Sequence, residues 1–365
     1  MPMTMGTLPF WRRAGLVALM VVMAGCGAPR SGGGGDRAGN PQDADRASGA
    51  TTPGRVRLRV VTTVLPVTLF TRAVAGDCAT VTPLIPASGD AHEVQARPGD
   101  LLALRQAQVV VTNGLGIDGF LEGLLASAAN PQLLRIDSSL GVASLGSGDN
   151  GESGHSDRSE SASSPGDANR REQGSSNHAH GPQNGGHSHG QAGVNPHIWL
   201  DPRRAAQQVA TIRDGLVRAD PGCAEGYRRN AETFSRQLRA LDAEIAAQLR
   251  PYRQRTFVTF HDVAPYFAER YDLKASFLVA MPEIRPSPAD LERVTAQVNR
   301  NRLRALLGEP RGANGSFQAL ARDLEVSVGV FDPIETASEQ AARDPATYFA
   351  VMRRNVTNLR QAFGG

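Results

Sequence analysis

The chain has 365 residues, of which 40% are hydrophobic and 21% charged, enough apolar material for one large or two medium domains. A short disulfide scaffold and a wholly disordered chain are thereby excluded. The formal charge of +3 comes from arginines interleaved with Asp and Glu, and without a basic stripe a nucleic-acid footprint is excluded too.

Arg12 and Arg13 precede the apolar run AGLVALMVVMAG, which ends in small residues just before Cys26. That layout predicts an export signal over residues 1–25, because the run is too short to span a bilayer. Met23-Ala24-Gly25-Cys26 resembles a lipobox, with Met23 where Leu is usual, so Cys26 is expected to carry lipid. Residues 26–56 have linker composition and read as a tether holding a domain off the membrane. In an exported chain Cys78 and Cys223 form either one disulfide or two buried thiols.

From Arg57 onward short β-branched runs alternate with helical patterns: RLRVVTTV, CATVTPLI, QVVVTN and QLLRIDSS as strands, with helices between them. This alternation predicts an α/β lobe with a parallel sheet over residues 57–223. It is interrupted at 142–193 by an insert too rich in Gly, Ser, His and Asn to bury a core. Tyr227, Ala231, Phe234, Leu238, Leu241, Ile245 and Leu249 then recur at spacings of three and four. They predict a linking helix over 224–251, about 40 Å long at 1.5 Å per residue, with one apolar stripe. The α/β pattern restarts in TFVTF, KASFLVA, ALLGEP and VSVGVFD and gives a second lobe over 252–365.

The eight histidines fall into two sets. His155, His178, His180, His187 and His189 lie in the insert, where imidazoles on a tethered chain can capture metal weakly and raise its local concentration. His92, His197 and His261 stand at predicted strand ends or in the loops that follow them. Ligands of open α/β sheets bind at the carboxyl ends of strands, so these three can converge in one cleft. With Asp332, at the end of VSVGVFDP, they make a four-coordinate set suited to Zn²⁺.

The flanking segments run in order VVTTVLPVTLFTRAVAGD, GDAHEVQARPGDLLAL, VVVTNGLGIDGFLEGLL, a His-rich insert, NPHIWLDP, TFHDVAPYFAERY, MPEIRPSPADL, LLGEP and VFDPI. Over residues 57–362, the insert excepted, this series resembles the cluster A-I, or cluster 9, solute-binding proteins of bacterial ABC importers for zinc and manganese. It is most similar to their high-affinity zinc-uptake branch. The resemblance implies two α/β lobes joined by a rigid helix, with Zn²⁺ as the transported ligand between them. His92 and His197 would come from the first lobe, His261 and Asp332 from the second. His261 occupies a position where manganese members carry Glu, which points to zinc. Ala91 stands where some zinc members have an extra carboxylate, so the fourth ligand is Asp332 or a water. Asn195 replaces the more usual Asp and is expected to act on a ligand rather than on the metal. The implied partners are an ABC permease and ATPase, with membrane attachment through the N-terminal lipid at the outer face of the cytoplasmic membrane, or a periplasmic location; a monomer is expected.

Other readings compete. GLGIDG, followed by Asp137, matches a dinucleotide fingerprint. His92-Glu93 opens H-E-x-x-H, but residue 96 is Ala. A secreted zinc hydrolase would need a general base, for which Glu283 and Asp262 are the candidates. A surface zinc buffer, an adhesin-like lipoprotein and a manganese-preferring importer component would use the same site.

Overall fold

The computed structural model describes residues 56–147, 193–281, 285–310 and 315–365. Cys26, the five histidines of the insert and Glu283 lie outside these residues. Among the described residues no helix is long and apolar enough to cross a membrane.

In the first lobe β1 (Leu58–Thr62), β2 (Ala79–Pro83), β3 (Val109–Thr112) and β4 (Leu134–Asp137) form a parallel sheet in the order β2-β1-β3-β4. The second lobe repeats that plan. Its strands β5 (Thr256–His261), β6 (Lys274–Val279), β7 (Ala305–Gly308) and β8 (Ser327–Val330) pair in parallel as β6-β5-β7-β8. Strands β3 and β5 are buried along their whole length, as expected for central strands covered on both faces, and this is why neither shows the period-two alternation of a half-exposed strand.

Helices α1 (Leu65–Ala75), α2 (Pro98–Gln106), α3 (Leu121–Ala128) and α4 (Pro202–Ala219) serve the first sheet. The long α5 (Ala224–Leu249) follows, and α6 (Pro265–Tyr271), α7 (Pro288–Asn301), α8 (Gly315–Asp323) and α9 (Ala346–Ala362) serve the second. Each of α1, α2, α4, α6 and α7 has proline in its first turn, where the missing N–H costs no helical hydrogen bond.

The predicted stripe of α5 is buried from Tyr227 to Leu249. On it Phe234 meets Phe70 of α1 at 5.9 Å between ring centroids and Phe349 of α9 at 5.0 Å. One apolar cluster therefore runs from Val60 and Leu69 in the first lobe, along α5, to Phe257 and Met352 in the second. A large apolar contact of this kind resists relative movement of the lobes. Polar ties reinforce it: Asp242 of α5 accepts from Arg203 of α4 at 3.0 Å and from Arg270 of α6 at 2.7 Å. Burial pushes the Asp242 carboxyl up, but the hydrogen bonds and charges of both arginines outweigh that and hold it below the ordinary value.

Cys78 and Cys223 are joined in a disulfide with Cα atoms 6.2 Å apart, fixing the end of α1 to the start of α5. A Cβ on Gly226 would lie 3.1 Å from the Cys78 sulfur, so the bridge packs directly against bare helix backbone. The base of the insert also belongs to the fold. Gly146 and Val194 make an antiparallel bridge, and Val142 is buried beside Ile198 and Tyr266, so residues 142–147, expected to lie in the insert, pack with the described residues.

Candidate metal centre

Three of the four groups expected to meet do so, and the fourth is a different carboxylate. One ligand atom each from His92, His197, His261 and Glu335 lies within 4.8 Å of the others. His92 sits in the loop after β2, His197 just before the turn Ile198–Leu200, His261 at the last position of β5, and Glu335 in the loop after β8. All but His197 are thus placed by the carboxyl ends of parallel strands, and α4 brings His197 alongside them.

Glu335 Oε1 lies 3.1 Å from His92 Nε2, 3.0 Å from His197 Nε2 and 4.0 Å from His261 Nε2. The Nε2 atoms of His197 and His261 are 3.4 Å apart. A tetrahedral Zn²⁺ with bonds of 2.0–2.1 Å separates its ligand atoms by about 3.3–3.4 Å, close to the 3.0, 3.1 and 3.4 Å separations here, whereas the 4.0 Å from Glu335 to His261 is wider than that polyhedron. The cluster's donor set of three imidazoles and one carboxylate matches a borderline-soft divalent ion.

The outer partners aim these nitrogens. Asn195 Oδ1 accepts from the backbone N–H of His197 at 3.0 Å and faces its Nδ1 at 2.9 Å. Glu309, at the end of β7, faces His261 Nδ1 at 2.5 Å. With Nδ1 donating outward in both rings, neutral imidazole keeps its lone pair on Nε2, directed at the cluster.

The charges follow from burial and pairing. Burial pushes the His197 pKa down to about 4 against the raising effect of Glu335. Burial also opposes charging His261, but the hydrogen bond and charge of Glu309, joined by Glu335, prevail and raise it. Burial disfavours ionised Glu335 as well, yet its close contacts with the His197 and His92 rings and the charges of His261 and His92 hold it well below the ordinary value.

Asp332 is corrected: it is not one of the clustered groups. Its carboxylate turns back to accept the N–H of Ile334 at 2.8 Å, while its backbone N–H and carbonyl are both held by the Asn355 side chain at 2.8 Å. This turn, with Ile334 at φ 64°, carries the chain round so that Glu335 three residues later points at the histidines. Sequence reasoning missed Glu335, Glu309 and the specific role of Asn195. The signals were present in FDPIE, where two carboxylates share one loop, and in LLGEP, where Glu309 ends a strand.

The other motifs resolve into local structure. In GLGIDG the Asp118 carboxylate accepts the N–H groups of Asn113 at 3.3 Å and Gly114 at 2.6 Å, the amides a phosphate would need. Gly114 has φ +84°, and a Cβ there would lie 2.3 Å from Asp137 Oδ1, so the glycine serves a tight turn. Asp262, a candidate base for hydrolysis, is buried, and its carbonyl accepts from Asn195.

The zinc-uptake complex component A, periplasmic (ZnuA) family matches residues 60–362. Among curated relatives, the zinc-binding lipoprotein AdcA of Streptococcus pneumoniae is 28% identical over 306 residues, covering 84% of this chain and 56% of AdcA. The chain thus spans about half the length of that relative. The crystal structure of the Zn(II)-bound ZnuA-like domain of the same AdcA superposes with a TM-score of 0.61 at 26% identity, covering 84% of this chain and 99% of that domain. A crystal structure of ZnuA superposes with a TM-score of 0.64 at 24% identity, covering 83% and 99%, and shares the fold. Since the family match takes in both lobes and every residue of the His92, His197, His261 and Glu335 cluster, this chain belongs to the ZnuA family.

Proposed function

We propose that this chain captures Zn²⁺ between its lobes on His92, His197, His261 and Glu335 and delivers it to the permease of an ABC importer driven by an ATPase. The observation that carries this reading is the convergence of four ligand atoms, three of them imidazole nitrogens, within 4.8 Å of one another. Nitrogen-rich donors favour Zn²⁺ over Mn²⁺, which prefers oxygen. In this reading the protein catalyses no reaction, acts as a monomer outside the cytoplasm, and is held by lipid on Cys26 at the outer face of the cytoplasmic membrane or lies in the periplasm. The histidines at 155, 178, 180, 187 and 189 capture metal weakly and raise its concentration at the mouth of the cleft.

Competition titration of the chelator-stripped mature protein with Zn²⁺ and Mn²⁺, with and without residues 148–192, tests it. One tight Zn²⁺ site is expected that survives the deletion and disappears in His92→Ala, His197→Ala and His261→Ala. Loss of all Zn²⁺ binding with the deletion would refute the cleft site.

A further inference from the structure

Asn195 is buried at 1% exposure and is gripped from both lobes. Its side-chain oxygen takes the two N–H groups of His197 described above. Its side-chain NH₂ donates to the carbonyl of Asp262, at 2.7 Å, immediately after His261 on the second lobe. Its own backbone carbonyl accepts from the hydroxyl of Tyr266 at 2.6 Å, and its N–H donates to Leu145 at 2.9 Å. The Leu145 N–H in turn donates to the same tyrosine oxygen at 2.9 Å.

These contacts leave the amide one orientation. The Asp262 carbonyl can only accept, so the NH₂ must face it and the oxygen must face His197. His197 Nδ1 then carries the hydrogen, and its Nε2 lone pair is aimed at Glu335 and His261. We propose that Asn195 is a positioning residue for zinc capture: one amide sets the tautomer of His197 and ties that ligand across the cleft to the strand end that carries His261. A carboxylate at 195 could do only the first task, since it has no hydrogen to give Asp262. A short apolar side chain could do neither.

The inference rests on the zinc-binding reading and is tested by comparing wild type, Asn195→Ala and Asn195→Asp in Zn²⁺ competition titrations, alongside thermal unfolding of the metal-free proteins. The ¹⁵N–¹H imidazole correlations of His197 are recorded for the zinc-loaded forms. Asn195→Ala is expected to lose about 10–100-fold in Zn²⁺ affinity, the usual cost of removing a ligand's outer partner, at unchanged one-to-one stoichiometry. Asn195→Asp is expected to keep the protected Nδ1–H signal and to recover part of that loss. Wild-type affinity in Asn195→Ala would overturn the proposal. Asn195→Asp as weak as Asn195→Ala would reduce the residue to a fold contact, and Asn195→Asp equal to wild type would remove the tie to Asp262. Should Asn195→Ala not fold, Asn195→Asp against wild type carries the test through the same signal and affinity. A wild-type chain without a tight Zn²⁺ site would instead refute the proposed function, and that outcome is seen before any variant is made.

Discussion

Trp199 donates its indole N–H to the carbonyl of Pro333 at 2.8 Å, joining the segment that presents His197 to the loop that presents Glu335. The Trp199 carbonyl accepts from the hydroxyl of Tyr348 at 2.7 Å, and all three residues are buried. Two residues of the cluster, from opposite lobes, are therefore spaced by one short hydrogen bond two residues away from each. Trp199→Phe keeps an aromatic ring but leaves the Pro333 carbonyl unpaired, at a cost of about 1–3 kcal/mol. The variant should unfold at lower temperature and bind Zn²⁺ about tenfold more weakly, as for loss of an outer partner. Thermal unfolding and competition titration measure both, and wild-type affinity would show that the bond does not set the spacing.

Replacing the two carboxylates of the loop after β8 should give opposite phenotypes. Glu335→Ala removes a ligand and is expected to weaken Zn²⁺ binding more than about 100-fold, beyond the range for outer partners. Asp332→Ala removes the acceptor of the Ile334 N–H and should mainly lower stability, by about 0.5–2 kcal/mol, through the turn it caps. Titration and urea unfolding of both variants separate the roles; a larger affinity loss in Asp332→Ala would reverse the assignment.

Zinc binding should release protons at near-neutral pH. Burial opposes charging His261, but Glu309 and Glu335 overcome it and raise its pKa, which favours the imidazolium in the metal-free chain. Zn²⁺ must displace that proton, and affinity is expected to rise with pH through this raised pKa and to fall below it. Glu309→Gln removes the charge that favours the imidazolium and should reduce the protons released at pH 6.5. Calorimetric titration in buffers of different ionisation enthalpy counts them, and identical apparent enthalpies for the wild type would contradict the assignment.

The same groups shape the stability of the metal-free protein. The stabilising contribution of His261 is complete below pH 6.5 and is lost as pH rises through its folded pKa. His197 acts in the other direction, its contribution complete above 6.5 and lost as pH falls through about 4. Glu335, held well below the ordinary carboxylate value, contributes above about 4.5 and loses that contribution as pH falls through its folded pKa.

The disulfide should matter for stability and not for zinc. It closes a loop of sequence separation 145 and lies beside the start of β2, at the sheet end opposite the ligands. The double variant Cys78→Ser, Cys223→Ser is expected to lose about 2–5 kcal/mol, the range for bridges closing long loops. Urea unfolding gives the loss, and Zn²⁺ titration of the folded variant should match the wild type; an unchanged midpoint would contradict the expectation.

The two-lobed plan was legible from residues 57–365 because short β-branched strand segments alternate with helical ones, the central strands β3, β5 and β7 being buried throughout, while α5 keeps one stripe of Tyr, Phe and Leu at helical spacing. His92 and His261 were legible for a related reason, since chain direction alone puts the ends of parallel strands on one side of a sheet, while His197 lies in the turn before α4. Tertiary structure decided what spacing could not. Asp332 and Glu335 are both carboxylates in one loop, and only the folded turn, which spends the Asp332 carboxylate on the Ile334 N–H, shows which of them faces the histidines. Glu309 and Asn195 become partners of His261 and His197 only when strands and loops far apart in sequence are stacked. The pairing of Cys78 with Cys223 likewise required their Cα atoms to come within 6.2 Å. Local pattern reports which surfaces must be buried, whereas side-chain direction and reach, on which a metal polyhedron depends, exist only after the lobes have packed.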